Sequence, residues 1–232
     1  MGNNRFSKSL PSAIFNLPVL KTFAAGKNGF SGDSLPVTLC NATTLTALLL
    51  NGLSASPHCG RSYSELFFSP TLVSGSLPSC PFRLPSLEAL HASSNAFTGS
   101  LPIDAFPFDT KLRIFNIARN RMWGELPNRV PTMPFEEFDV SYNKFSGTFP
   151  CKVDDKETEA PQSMNLIQNR FSGDICKTVA SKVVSINVLE GNMWACGYSP
   201  NQDAYRDRFL CGSQGSLAHK LLLSFYNITC YI

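Results

Sequence analysis

Charge and long apolar runs are both scarce in this 232-residue sequence, and each scarcity excludes a class of protein. Only 16% of the residues are charged, with 20 basic against 17 acidic side chains and a net charge of +3. This composition argues against a disordered, solvating chain, and it favours neither nucleic acid nor an acidic membrane as a partner. The best apolar run, residues 221–225, falls far short of the ~20 residues of a membrane span. Residues 1–15 have no continuous apolar core, so no signal peptide is visible.

The sequence motifs of catalysis and metal binding are missing too. There is no glycine-rich phosphate loop, nucleophile elbow, metal-binding helix motif or Cys-x-x-Cys pair. The three histidines, His58, His91 and His219, lie far apart in the sequence. The adjacent Asp154 and Asp155 belong to a strongly charged run that is typical of a solvated turn. We therefore expect a protein that is not an enzyme and has no cofactor and no metal.

What the sequence does contain is one phrase repeated about every 24 residues. The phrase reads Asn-x-aromatic-Ser/Thr-Gly-x-Leu-Pro in its fullest form, and its markers at positions 71, 95, 120, 143 and 169 are separated by 24, 25, 23 and 26 residues. Chance does not produce such spacing. Further copies begin at Asn4, Asn28 and Asn192 and, in degenerate form, around Leu53.

Alternating apolar residues precede each marker, as in Leu112-x-x-Phe115-x-Ile117-x-x-Asn120. This alternation predicts a short strand, and stacking of successive coils would pair each strand with the next in a parallel sheet. The marker asparagine is expected to bond backbone groups in the turn, and the glycine after Ser/Thr is expected to adopt a positive φ. The residue two positions after each marker predicts a stacked inward column: Phe30, Val73, Phe97, Met122, Phe145 and Phe171.

The pattern resembles the leucine-rich repeat, L-x-x-L-x-L-x-x-N-x-L, with the trailing Ser-Gly-x-Leu-Pro of the plant-type subclass. Similar repeats occur in plant receptor-like ectodomains, in cell-wall hydrolase inhibitors and in the surface-antigen proteins of protozoa. The resemblance implies an α/β repeat solenoid, a right-handed horseshoe with a parallel concave sheet, an irregular or 3₁₀ convex side and little helix. We expect about eight coils over residues 1–195, with an irregular insert near 54–63, and a cysteine-bearing cap over 196–232.

The first coil is expected to be truncated, because the copy at Asn4 has no strand before it and no capping unit. We therefore expect the biological start to lie upstream of Met1, in a segment that carries the signal peptide and the cap.

The eight cysteines are expected to form local disulfide bonds, at the cap and between neighbouring coils. Proteins with this type of repeat commonly end in a cysteine-bearing flank, and that resemblance implies a cap disulfide between Cys196 and Cys211. Cys151 and Cys176 lie at nearly equivalent positions of consecutive coils, so stacking predicts a second pair. The remaining four allow three pairings, and the alternative is that all eight are free thiols of a cytosolic protein. Those four are Cys40, Cys59, Cys80 and Cys230.

Two N-glycosylation sequons, Asn41-Ala-Thr43 and Asn227-Ile-Thr229, favour a secreted chain.

A binding function is the default for such a solenoid, because the outward strand positions are free to vary. The register places a central outward ladder along the sheet: Ala24, Leu49, Phe67, His91, Asn116, Asp139, Asn165 and Asn187. The outward position two residues earlier carries Glu65, Ile114, Glu137, Ser163 and Ser185, and the position beyond the strand carries Arg119, Tyr142 and Gln168. Small polar residues can also be merely tolerated on a solvated sheet. The strongest binding candidates are Phe67, Arg119, Asp139 and Tyr142, because aromatic residues and arginine dominate binding hot spots.

We therefore expect a secreted or cell-surface recognition module that binds a protein or a glycan through the concave face and does not bind nucleic acid. The resemblance to surface-antigen proteins implies membrane association through an anchor outside this chain. One alternative is a secreted inhibitor of cell-wall glycosidases. Another is a structural coat component or truncated gene product without a specific ligand.

Overall fold

A computed structural model describes residues 4–31, 35–52, 73–102, 104–107, 109–149 and 160–208, together with residues 2 and 211. Within them the chain forms short parallel strands and very little helix. The strands are β1 (Ser7–Lys8), β2 (Thr22–Ala24), β3 (Gly29–Phe30), β4 (Ala47–Leu49), β5 (Ser74–Ser76), β6 (Ala89–His91), β7 (Ala96–Gly99), β8 (Ile114–Asn116), β9 (Arg121–Gly124), β10 (Glu137–Asp139), β11 (Lys144–Gly147), β12 (Ser163–Asn165), β13 (Arg170–Gly173), β14 (Ser185–Asn187) and β15 (Met193–Trp194).

Two parallel sheets run along the stack. The concave sheet has seven strands in the order β14-β12-β10-β8-β6-β4-β2, and the lateral sheet has six in the order β15-β13-β11-β9-β7-β5. Strands β1 and β3 form a separate parallel pair at the amino-terminal end. In the described part of the chain, one four-residue α-helix, Lys177–Ala180, accompanies the 3₁₀ turns, which agrees with the little helix expected of the repeat. The 3₁₀-helices are Ser12–Asn16, Val37–Asn41, Cys80–Arg83, Val130–Thr132 and Arg206–Arg208.

The predicted inward column forms under the lateral sheet. Phe145 and Phe171 stack with ring centroids 6.4 Å apart and planes 3° apart, and Phe171 continues onto Trp194 at 5.6 Å and 5°. Phe97 and Met122, like these three, have no exposed surface. A second aromatic cluster with edge-on contacts fills the space behind the concave sheet: Phe82, Phe106, Phe115, Phe135 and Phe138.

The marker asparagines from Asn95 onwards, all buried except the half-buried Asn120, form a ladder of hydrogen bonds between neighbouring coils. Asn143 shows the geometry: its Nδ2 donates to the carbonyls of Ile117, Val140 and Ser141 at 3.0–3.1 Å, and its Oδ1 accepts the Met122 N–H at 3.0 Å. Asn95, Asn120, Asn169 and Asn192 repeat this arrangement. The glycine turn follows the prediction as well, because φ lies between 77° and 90° at Gly75, Gly99, Gly124, Gly147 and Gly173.

The order of coils near residue 50 differs from the expected one. Strand β4 pairs directly with β6, with Leu49 opposite His91. The Leu50 N–H donates to the His91 carbonyl, and Asn95 Nδ2 reaches the Leu50 carbonyl at 2.8 Å. The groups that a further coil would have bonded are therefore already paired. The described part of the copy at position 71 is β5, which pairs with β7 in the lateral sheet, and the residues before Val73 in that copy lie outside the described residues.

The disulfides agree with this order. Cys40 and Cys80 are bonded, with Cα atoms 5.3 Å apart, and they join the 3₁₀ turns of the two coils whose strands are β4 and β6. The cap disulfide Cys196–Cys211 is confirmed, with Cα atoms 4.9 Å apart. Cys176 is also disulfide-bonded, to a cysteine outside the described residues, and its pairing with Cys151 stays a prediction. Cys59, Cys151 and Cys230 lie outside the described residues.

The last coil is capped by a carboxylate in place of a further strand. In earlier coils the residue after each concave strand donates its N–H to the next strand, as Val140 does to Asn165 and Leu166 does to Asn187. At the end of the stack, Asp203 Oδ2 accepts the N–H groups of Val188 and Leu189 at 2.6 and 3.0 Å. Its side chain is buried, so water does not compete for these bonds.

We expect Asp203→Ala to lower the free energy of unfolding by about 2–4 kcal/mol, because it leaves two buried N–H groups without an acceptor. Urea denaturation followed by the fluorescence of the buried Trp194 measures the change. Asp207→Ala, which removes an exposed carboxylate from the same segment, should alter stability by less than ~0.5 kcal/mol. Equal effects of the two substitutions would contradict the capping role.

The concave face as candidate binding site

The concave sheet arranges the predicted outward ladder in register. Across neighbouring strands His91 lies opposite Asn116, Asn116 opposite Asp139, Asp139 opposite Asn165 and Asn165 opposite Asn187. The parallel row two residues earlier holds Ile114, Glu137, Ser163 and Ser185. Phe67 and Glu65 lie outside the described residues. The face therefore changes along the stack, from small and apolar at Ala24 and Leu49 to polar from His91 onwards.

The polar half of this ladder is held in place by local hydrogen bonds. Asp139 Oδ1 accepts the Ser141 N–H at 2.9 Å, and Asn116 accepts the Ala118 N–H in the same way at 3.2 Å. The free amide of each asparagine then reaches across the sheet, from Asn116 to Glu137 at 2.6 Å and from Asn165 to Asp139 at 3.3 Å. Side chains ordered in this way lose less conformational entropy when they bind a ligand.

Asp139 is a largely buried carboxyl group of the concave face. Burial raises its pKa above the ordinary value, and the neighbouring charge of Glu137 raises the pKa further. Hydrogen bonds from Ser141 and Asn165 act in the opposite direction. Perturbed titration of this kind is enriched at functional sites, although structural networks also produce it.

A turn in the left-handed backbone region follows five of the concave strands, β2, β6, β8, β10 and β12. Arg119, Tyr142 and Gln168 have φ values of 55°, 54° and 56°, and Lys27 and Ser94 occupy the same position in their coils. Side chains other than glycine rarely adopt this conformation. Here the next residue is always a marker asparagine, whose side chain bonds the carbonyls of the turn. The turn carries Arg119, Tyr142 and Gln168 just beyond the strands, as predicted.

Two of these residues contact each other directly. The Arg119 guanidinium carbon lies 4.3 Å from the centroid of the Tyr142 ring, which is a cation–π contact. Both side chains are exposed, and Arg119 makes no ion pair with any described residue. The stack fixes the position of the guanidinium while its N–H groups stay available to a ligand.

The sequence analysis missed the contribution of the carboxy-terminal flank. Tyr205 packs beside the last coil and hydrogen-bonds Glu190, whose carboxylate also accepts from Gln168 at 3.4 Å. Burial raises the pKa of Tyr205, and the charges of Glu190, Tyr142 and Asp203 add to the effect. The only sequence signal for this placement is the pair of cysteines at 196 and 211, which tethers the segment to the end of the solenoid.

Other predicted sites are placed as follows. Asn41 is exposed at the end of a 3₁₀ turn, where its Nδ2 donates to Asn16 Oδ1 at 2.9 Å, and Asn227 lies outside the described residues. Among the described residues, no group of three or more His, Cys, Asp or Glu side chains could hold a metal ion. No helix in that part of the chain is both long and apolar enough to cross a membrane.

The repeat, the two parallel sheets and the asparagine ladder together define a leucine-rich repeat solenoid. No protein-family model matches the chain. Receptor-like protein 35 of Arabidopsis thaliana is 32% identical over 160 residues, covering 65% of this chain and 16% of the relative. A solved TDR receptor superposes with a TM-score of 0.66 at 24% identity, covering 84% of this chain and 30% of that chain. The plant peptide hormone receptor RGFR1, solved in complex with RGF2, gives 0.65 at 19% identity, covering 84% and 28%.

The chain is thus a leucine-rich repeat protein that resembles plant receptor ectodomains. It spans only 16% to 18% of the length of the first three curated relatives that it matches.

Proposed function

We propose that this chain is the recognition part of an extracellular or cell-surface protein and that it binds a peptide or protein segment along its concave face. The observation that carries the proposal is the exposed Arg119–Tyr142 stack beside the ordered polar ladder of Asn116, Asp139 and Asn165. Receptor-like relatives support the location, and the peptide complex of RGFR1, a protein of the same fold, supports the ligand class.

A peptide fits this face better than a compact small molecule does. The ladder extends across successive strands about 4.8 Å apart, so its ligand must be elongated to contact several coils. The half-buried amide and carboxylate groups of Asn116, Asp139 and Asn165 can pair with a peptide backbone, while Arg119 and Tyr142 supply the kind of contact that dominates binding energy. Repeat-to-repeat variation along the ladder would then select the peptide sequence.

A displayed random-peptide library selected on the disulfide-bonded protein provides the test. We expect peptides that bind the unchanged protein to lose at least about tenfold in affinity with the combined substitution Asp139→Ala, Tyr142→Ala and Asn165→Ala. Each replaced residue contributes an exposed or half-buried side chain of the concave face, and none belongs to the core. Titration by biolayer interferometry measures the change.

The control combines Val37→Ala, Asp109→Ala and Asn128→Ala, three exposed positions outside the concave strands. This variant should bind selected peptides within about twofold of the unchanged protein. If the selected peptides survive the concave substitutions, or lose affinity equally in both variants, the concave face is not the binding surface.

A further inference from the structure

The lateral sheet carries a row of positive charge that the concave-face function does not use. Three neighbouring strands of the lateral sheet, β9, β11 and β13, begin with Arg121, Lys144 and Arg170. All three side chains are exposed. The equivalent residues of the flanking strands are uncharged, Ala96 in β7 and Met193 in β15. The row is therefore a local feature of three coils, not a property of the repeat.

A large aromatic side chain lies within this row. Trp123 is 53% exposed, and it points to the solvent side because it alternates with the buried Met122. Along its own strand it follows Arg121 by two residues, and across the sheet its partner is Lys144. Arg170 lies one strand further on, opposite Ser146. We call Arg121, Trp123, Lys144 and Arg170 the lateral patch.

The cations of the lateral patch make no ion pair with any described residue, since the one ion pair found joins Arg83 and Asp104 on another surface. The carboxylate of Glu125 follows Arg121 by four residues, or ~13 Å of extended chain. Its side chain lies instead over Gly147, where a Cβ would come within 2.8 Å of it. The three cations of the patch are thus exposed and not held in ion pairs with described residues.

We propose that the lateral patch binds a linear polysaccharide that carries carboxylate groups. Its cations are spaced by strands about 4.8 Å apart on an open surface, which suits a long ligand with repeated charges. Two of the three are arginines, whose forked N–H groups match the two oxygens of a carboxylate. The exposed indole of Trp123 offers an apolar plane for the C–H face of a sugar ring, a contact that an acidic peptide does not need.

Polygalacturonate and its fully methyl-esterified form are the probes, because they share a backbone and differ in charge. By isothermal titration at low ionic strength, the unchanged protein should bind polygalacturonate and should not bind the ester. Combined Arg121→Ala, Lys144→Ala and Arg170→Ala should lower the affinity at least about tenfold, and Trp123→Ala alone should lower it several-fold. Added salt should weaken binding to the unchanged protein more than binding to the triple variant.

The matched control removes the same net charge elsewhere, through Lys111→Ala, Lys177→Ala and Lys182→Ala, all at exposed positions. It should bind polygalacturonate within about twofold of the unchanged protein. Equal loss in both triple variants would show non-specific attraction and would overturn the proposal. So would absence of binding to polygalacturonate, or tighter binding to poly-glutamate or dextran sulfate than to polygalacturonate. Peptide binding at the concave face should be unaffected by the lateral substitutions, so the two proposals fail independently.

Discussion

Replacing Phe145 with alanine is expected to lower the free energy of unfolding by about 3–5 kcal/mol, the range for a large aromatic removed from a packed core. Its ring has no exposed surface and stacks on Phe171, which in turn stacks on Trp194. The substitution therefore opens a cavity in the middle of a continuous column. Because each coil contacts only its neighbours, relaxation into that cavity would have to disturb the coils on both sides.

Urea denaturation under oxidising conditions measures this change. Trp123→Ala is the matched control, because it removes a larger ring from the solvent side of the preceding coil and should cost less than ~1 kcal/mol. Circular dichroism should be the probe for that variant, since it alters the fluorescence. A loss below 1 kcal/mol for Phe145→Ala would contradict the claim that the stacked aromatic column stabilises the fold.

Replacing Asn143 with alanine should be comparably damaging, at about 3–5 kcal/mol, although it removes no large apolar group. The substitution leaves the Met122 N–H without its acceptor and takes a donor from the carbonyls of Ile117, Val140 and Ser141. Unpaired buried groups of this kind cost about 1–3 kcal/mol each. The loss also weakens the support of the left-handed turn at Tyr142.

The substitution Asn143→Asp tests the accepting and the donating functions of the Asn143 side chain separately. Aspartate keeps an oxygen for the Met122 N–H, yet it offers no donor and sets a negative charge among carbonyl oxygens, so we expect it to be at least as destabilising as alanine. Asn201→Ala, at an exposed turn position, should change stability by less than ~0.5 kcal/mol. A small effect of both Asn143 substitutions would contradict the prediction, because it would mean that water molecules can satisfy the backbone groups that Asn143 now bonds.

The repeat made most of the fold predictable. A residue type recurring every 23 to 26 positions identifies which side chains stack on each other, so the column through Phe145 and the ladder through Asn143 follow from spacing alone. The same arithmetic placed His91, Asn116, Asp139 and Asn165 on one face in the order that the sheet shows. Spacing did not predict that Leu49 lies directly opposite His91, because the copies between them are degenerate. Phe67, which the spacing placed between these two residues, lies outside the described residues.

The contacts made by the ends and turns were not predictable from spacing. Asp203 and Tyr205 lie in a flank without repeat symmetry, and neither residue type marks a cap or a binding face by itself. Cys40 and Cys80 were only two of four cysteines with three possible pairings, until direct stacking of their coils brought them together. The stack of Arg119 on Tyr142 depends on side-chain rotation, which a repeat formula does not specify.

By itself the sequence determined the repeating unit of this protein. Period and alternation decide which residues face inward, because a coil can bury its apolar side only against a copy of itself. The tertiary structure alone decided which strands pair near residue 50 and what caps the last described coil, since both depend on which backbone groups remain unpaired. Direct pairing of β4 with β6 satisfies those groups near residue 50, and the Asp203 carboxylate satisfies them at the last described coil. The lateral patch is also visible only in the tertiary structure, because its cations become neighbours only when the strands pair.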